Sequence, residues 1–145
     1  MRRQVEIPNP PGDWSRKTER LRRAGLRPTR QRTALAALLF TDYVRHVTAE
    51  SLHAEAEAAG ERVSLATVYN TLHQFTTAGL LRQVTVDGTR TYFDTNTAEH
   101  HHFYREDDGM LVDIENGGIT VGGLPRPPDG CRIERVDVVV RVRKR

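Results

Sequence analysis

The chain has 145 residues, 37% hydrophobic and 28% charged, which fits one ordinary soluble domain or two small ones and excludes a disordered chain. No apolar run reaches the length of a membrane span, and Arg2-Arg3 is not followed by the apolar core of a secretion signal, so a cytoplasmic protein is expected; the single cysteine, Cys131, excludes a disulfide framework and any CxxC zinc knuckle. The net charge of +3 is uneven: eight basic residues and one acid, Glu19, lie between Arg16 and Arg32, which suits a polyanion or, more plainly, a solvated helix face.

Residues 1–12, with Pro8, Pro10, Pro11 and Gly12, read as a flexible arm. A first helix is expected over 13–24, with Asp13 as its cap and Gly25 as its stop. Pro28-Thr29 opens a second, whose buried side is Leu35, Leu38 and Leu39. Residues 42–47 read as a connection. Thr48 caps a third helix in which Leu52, Ala56 and Ala59 face inward before Gly60.

A fourth helix is expected over 64–77. Leu65, Val68, Leu72 and Phe75 recur at intervals of three and four, Ser64 suits the N-cap and Gly79 the left-handed stop. Its far face carries Ala66, Thr67, Asn70, Gln74 and Thr77, with Tyr69 and His73 on the flank. None of these is charged at neutral pH. Such a face is either an ordinary amphipathic surface or one that enters a groove and reads base edges.

Two β-rich runs follow, 81–86 and 89–94, joined by the two-residue turn Asp87-Gly88. Helices, reading helix and two-stranded wing together make a winged helix-turn-helix, with Arg82 and Arg90 on the wing within reach of phosphates. From residue 96 the character changes. Strands are expected over 100–105 and 110–114 around the turn Glu106-Asp107-Asp108-Gly109, with a short strand over 119–121 in a glycine- and proline-rich loop. The last element, 133–143, puts Val136, Val138, Val140 and Val142 on one face and mostly charged residues on the other. So small a sheet cannot bury that face alone, which calls for a partner, most simply a second copy of the same segment. The fold class expected is α+β: a winged helix over 13–95, then a small α/β dimerisation domain over 96–145.

His100-His101-His102 lies mid-chain. On a strand, His100 and His102 share one face and His101 takes the other. Imidazoles at i and i+2 can share a cation; further ligands on offer are Asp94, Asp113 and His46. Such nitrogen and oxygen donors suit Zn, Fe(II) or Mn(II) and not Cu(I). The competing reading is a row of strand-edge histidines with no ligand.

The runs Gly25-Leu26-Arg27-Pro28-Thr29-Arg30-Gln31-Arg32, His46-Val47-Thr48-Ala49-Glu50-Ser51-Leu52 and Ser64-Leu65-Ala66-Thr67-Val68-Tyr69-Asn70-Thr71-Leu72 resemble the ferric uptake regulator superfamily. Tyr92-Phe93-Asp94-Thr95-Asn96-Thr97, the histidine triplet with Phe103, and the ending with Leu124-Pro125-Arg126-Pro127-Pro128 and Val136-Asp137-Val138-Val139-Val140-Arg141 resemble its iron response branch. The resemblance spans about residues 15–143. It implies a homodimeric iron- or haem-responsive repressor on double-stranded DNA, with the metal held between the two domains by His46, Asp94, His100, His102 and Asp113. One gap leaves the register of the triplet open by one. It places Tyr69 in the major groove and Arg27 in an AT-rich minor groove; Asn70 stands where members of the superfamily often carry arginine and would pair well with adenine, and Arg30, Ser64, Thr67, Gln74 and Arg90 complete the expected DNA contacts. The structural zinc of CxxC-bearing members is expected to be absent. If haem is the signal, His100, His101 and His102 are its candidate axial ligands. The rival readings are a manganese, zinc or peroxide sensor of the same superfamily, a winged helix that binds DNA regardless of ligand, and a small metal-dependent hydrolase. For the last, no HExxH, nucleophile elbow or phosphate loop is present.

Overall fold

Helix α1 (Pro11–Arg23) begins two residues before the expected cap, inside what reads as the arm. A proline costs little in a first turn, where its missing N–H has no helical acceptor. Asp13 therefore lies within the helix, and residues 1–10 lie outside those described. The computed structural model describes residues 11–88, 90–115 and 118–145, with side chains from 16 onward. The chain falls into two units, one running to Thr97 and one from Ala98 to Arg145. No described helix is long and apolar enough to cross a membrane.

In the first unit, α1 ends as its sequence predicts. Gly25 adopts φ +82°, and Leu26 N–H bonds back to Leu21 O at 2.9 Å, which satisfies a carbonyl the helix leaves open. Helix α2 (Arg30–Leu39) is capped by Thr29, whose hydroxyl accepts the Arg32 N–H. Leu35 and Leu39 are buried and Leu38 is partly so. Residues 46–47, expected as connection, form a strand instead. This β1 (His46–Val47) is too short to show a periodicity and exists because a distant strand pairs with it. Helix α3 (Ala49–Ala58) carries a capping box between Thr48 and Ser51. Leu52 and Ala56 face the core, but Ala59 is exposed as the C-cap, and Ala49 takes an inward place.

Helix α4 (Leu65–Thr77) has Ser64 as its N-cap and Gly79 at φ +84°, with Leu80 N–H bonded to Phe75 O at 2.9 Å. Val68, Leu72 and Phe75 are fully buried. Leu65, expected on the same stripe, is 41% exposed because it lies in the first turn, beyond the edge of the core, and Thr71 is buried within the stripe. Strands β2 (Arg82–Asp87) and β3 (Arg90–Asp94) pair antiparallel, with a register shift between Thr85 and Asp87 that sets Asp87 opposite Arg90. Asp87 thus belongs to the strand rather than to a two-residue Asp87-Gly88 turn, and Thr89 lies outside the described residues. The sheet has three strands, in the order β1-β3-β2, rather than the two of a bare wing. Arg82 corrects a second expectation: only 5% of it is accessible, so it does not reach out to phosphates.

The second unit is a three-stranded sheet, β5-β4-β6. Strand β4 (His101–Arg105) pairs antiparallel with β5 (Met110–Ile114) around the expected turn, and parallel with β6 (Val139–Val142). A parallel neighbour needs a long crossover, and residues 115–138 supply it. No strand is assigned over 119–121, since no other strand pairs with that segment. The last strand is four residues long, where eleven were expected over 133–143. Only Val139–Val142 align with β4, and the stretch before them holds on through Val138, whose N–H donates to His101 Nδ1 at 3.1 Å. Tyr104 and Leu111 are buried on one face; Phe103 and Val112, cross-strand partners, and Val140 opposite Phe103 stay partly exposed on the other.

Charged pairs hold the turn end of this sheet. Hydrogen bonding to Arg105, and then to the Met110 N–H, lowers the Asp108 pKa from its ordinary value. Hydrogen bonds from Arg143 and Arg141 do the same for Glu106. Both carboxylates titrate lower when folded, so their contribution is complete above the ordinary carboxylate range and is lost as pH falls through the folded values. Acid titration followed by NMR is expected to loosen the 106–109 turn and the Glu106–β6 contact only below the ordinary carboxylate range. Carboxyl resonances of Asp108 and Glu106 at ordinary midpoints would contradict this.

Candidate metal centre and nucleic-acid interface

Two groups of donors are built, one in each unit. In the first, the β1–β3 register sets His46 opposite Asp94, and His46 Nε2 lies 3.2 Å from Asp94 Oδ2. Asp94 is fully buried, and its Oδ1 accepts the Asn96 N–H at 2.8 Å. A buried carboxylate is costly unless a positive group faces it. Arg45, beside His46, holds this end of the sheet in place. Its backbone N–H donates to Thr95 Oγ1 and its C=O accepts the Thr95 N–H, while its guanidinium donates to Leu38 O at 2.8 Å and to Glu55 on α3 at 2.9 Å. The sequence alone offers no signal for this role, because its partners lie 7 to 50 residues away.

In the second unit, the β4–β5 register sets His102 opposite Asp113. Both His100 Nε2, at 3.1 Å, and His102 Nε2, at 3.4 Å, face the same oxygen of Asp113, with their ring centroids 4.5 Å apart. Both histidines are buried. His100 Nδ1 lies 2.6 Å from Ala98 O, a carbonyl that can only accept, so Nδ1 carries the proton. In the neutral ring that leaves an Nε2 lone pair directed at a carboxylate. Two acceptors at that distance need a proton or a cation between them. Fixing one ring nitrogen so that the other presents its lone pair is what metal-binding histidines require. His101 stands apart on the opposite face, half-buried, its Nδ1 engaged by Val138. His100, expected on the strand, lies one residue ahead of β4 (His101–Arg105), yet its ring and that of His102 face the same Asp113 oxygen while His101 turns the other way.

The candidate DNA-contacting residues all lie in the first unit. Tyr69 is 46% exposed, and Asn70, Gln74, Arg27, Arg30, Ser64 and Arg90 are exposed too; Thr67 is half-buried. Ser64 Oγ accepts the Thr67 N–H at 3.0 Å and donates to Thr67 Oγ1 at 3.0 Å. The Tyr69 ring meets His73 edge-on at 4.6 Å, and His73 in turn meets Phe93 of β3 at 5.5 Å. Arg32, not singled out in the sequence, bonds Gln74 Oε1 through Nε at 3.3 Å and Nη2 at 3.1 Å, and Arg27 O through Nη1 at 2.9 Å.

A helical unit with a polar-faced α4 and a β2–β3 wing, on one chain with clustered imidazoles and carboxylates, defines a winged-helix DNA-binding regulator. The model of the Ferric uptake regulator family matches residues 23–123. The peroxide-responsive repressor PerR of Staphylococcus aureus strain Mu50 is 32% identical over 111 residues, 77% of this chain and 74% of that protein. Among solved structures, the ferric uptake regulator from Pseudomonas aeruginosa with manganese superposes with a TM-score of 0.67 at 29% identity, covering 88% of this chain and 97% of that one. The Vibrio cholerae ferric uptake regulator shares the fold, with a TM-score of 0.68 at 22% identity over 88% and 98% of the two chains. The chain belongs to the ferric uptake regulator family, metal-responsive transcriptional regulators that bind DNA and are not enzymes.

Proposed function

We propose that this regulator binds operator DNA as a homodimer in the cytoplasm, and that one divalent cation, taking ligands from His46, Asp94, His100, His102 and Asp113, tunes its affinity. The observation that carries the reading is the pinned His100 tautomer, whose Nε2 shares an Asp113 oxygen with His102. Three imidazoles and two carboxylates are donors for Fe(II), Mn(II) or Zn(II). The cation would supply the positive charge that the buried Asp94 and the Asp113 pocket call for. Because the set draws on both units, occupancy favours whichever arrangement of them binds the metal better, by no more than that difference in affinity. Dimerisation is assigned to the partly exposed apolar face of Phe103, Val112 and Val140 in the second unit.

The likeness of residues 92–103 and of the chain's ending to iron response regulators supports iron as the native signal. Haem is the weaker form of that reading. His100 and His102 are turned inward toward Asp113, and His101 would have to release Val138 to bare a ligating lone pair. A peroxide-sensing reading is favoured by the 32% identity to PerR. Titration of the full chain with Fe(II), Mn(II), Zn(II) and haem, following duplex binding at each step, tests all of these. Divalent metal is expected to raise operator affinity, and peroxide added to the Fe(II) form alone to reverse it only if the sensing is oxidative. Unchanged DNA affinity with every metal would end the proposal. The exposed arginines also imply steep salt dependence: a dimer engaging roughly 6–10 phosphates loses about 10³–10⁵ in affinity between about 50 and 200 mM salt. A flat salt profile would remove the polyanion from the reading.

A further inference from the structure

One side chain on the outward face of α4 already has its hydrogen-bonding polarity set by a neighbour in the protein. Gln74 Oε1 receives two bonds from Arg32, through Nε at 3.3 Å and Nη2 at 3.1 Å. A guanidinium has five donors and no acceptor, so the amide oxygen must be the atom that faces it and the NH₂ must face away. Arg32 cannot easily swing aside, because its Nη1 is held by Arg27 O at 2.9 Å, on the loop before α2. Thr67 is not fixed in this way: its Oγ1 accepts from the Ser64 hydroxyl at 3.0 Å but keeps a second lone pair and its own O–H, so it can accept or donate. Ser64, which also accepts the Thr67 N–H, is committed to capping.

We infer that α4 reads base acceptors and not base donors under Gln74, and that Arg32 is the positioning residue that sets this polarity. The inference rests on the reading that α4 enters the major groove. A glutamine pairs with adenine by using both amide atoms, the oxygen on N6 and the nitrogen on N7. Here the oxygen is spent on Arg32. What remains is an NH₂ that matches guanine, with acceptors at both N7 and O6, or thymine at O4; adenine offers it N7 alone, beside an N6 donor left without an acceptor, and cytosine's major-groove edge offers only a donor. Arg32 also ties the segment carrying Arg27, expected in the minor groove, to the helix expected in the major groove. One side chain therefore spans two DNA contacts.

The test selects random duplex DNA with the Mn(II)-loaded full chain, comparing the unaltered protein with Gln74→Met, Gln74→Glu and Arg32→Met. The unaltered protein is expected to enrich guanine or thymine at the position that loses its preference in Gln74→Met. Gln74→Glu keeps a bridge to Arg32, and hence the local fold, but carries no N–H, so it is expected to lose the same preference. Arg32→Met frees the amide oxygen and is expected to shift that position toward adenine by roughly tenfold. Adenine or cytosine enriched there by the unaltered protein would overturn the inference. So would an Arg32→Met protein, helical by circular dichroism, that binds every sequence more weakly while keeping the same motif, since that marks a phosphate contact. A motif unchanged in Gln74→Met overturns it as well. Failure of the unaltered protein to enrich any motif would instead remove the DNA-reading proposal itself.

Discussion

Replacing His102 by alanine is expected to weaken Mn(II) binding by about 100-fold or more and to abolish any metal-dependent gain in operator affinity. The basis is position: His102 is 1% exposed, lies opposite Asp113 across the β4–β5 ladder, and shares a carboxylate oxygen with His100. Loss of a partner one shell further from a metal already costs about 10–100-fold, so loss of a direct ligand should cost at least as much. His101→Ala is the matched control. That ring sits on the other face with its Nδ1 engaged by Val138, and its removal is expected to leave Mn(II) affinity within about threefold while loosening β6. Calorimetric titration of both variants decides the matter. Equal losses would mean that strand alternation does not select the ligands, and the five-residue set would fall with it.

Phe75→Ala is expected to destabilise the first unit by about 3–5 kcal/mol, a large share of the roughly 5–15 kcal/mol by which domains are stable. Phe75 is fully buried, with its ring 6.0 Å from Phe40 at the end of α2, and its carbonyl receives the Leu80 N–H that closes α4. The cavity would therefore open beside Phe40 and where the C-terminus of α4 is anchored. The expected signature is a lower urea midpoint with little change in slope. Leu65→Ala, on the same helix but 41% exposed, is expected to shift the midpoint far less. Similar losses from the two would contradict the packing described for α4. DNA binding by Phe75→Ala should fall only as far as the folded fraction falls, since Phe75 faces away from Thr67, Asn70 and Gln74.

Much of the first unit was legible because its signals are local. A threonine or serine three residues ahead of a backbone donor makes a cap wherever it stands, and so Thr29, Thr48 and Ser64 start their helices as expected. Gly25 and Gly79 end two helices because a left-handed residue is needed there and glycine adopts it without strain. Strand alternation separated His101 from His100 and His102 for a similar reason. Expectations failed where an element depends on a distant partner. Residues 46–47 become strand only because β3 is beside them. Arg82 turns inward on a wing whose edge seemed free, Leu65 falls outside the core that its spacing invited, and the final strand shortens to the four residues that β4 pairs with.

The amino-acid sequence by itself determined the helices, the caps of α2, α3 and α4, the two paired runs of the wing, the histidine alternation and the family, since each of these is written in residues a few positions apart. Tertiary structure alone decided which groups meet: Arg32 with Gln74 across 42 residues, Arg45 with Thr95 across 50, and two histidines on one oxygen of Asp113. The physical reason is range. Periodicity and capping are set by backbone geometry within a turn or two, whereas the partner of a charged or imidazole side chain is chosen by packing that brings remote segments together.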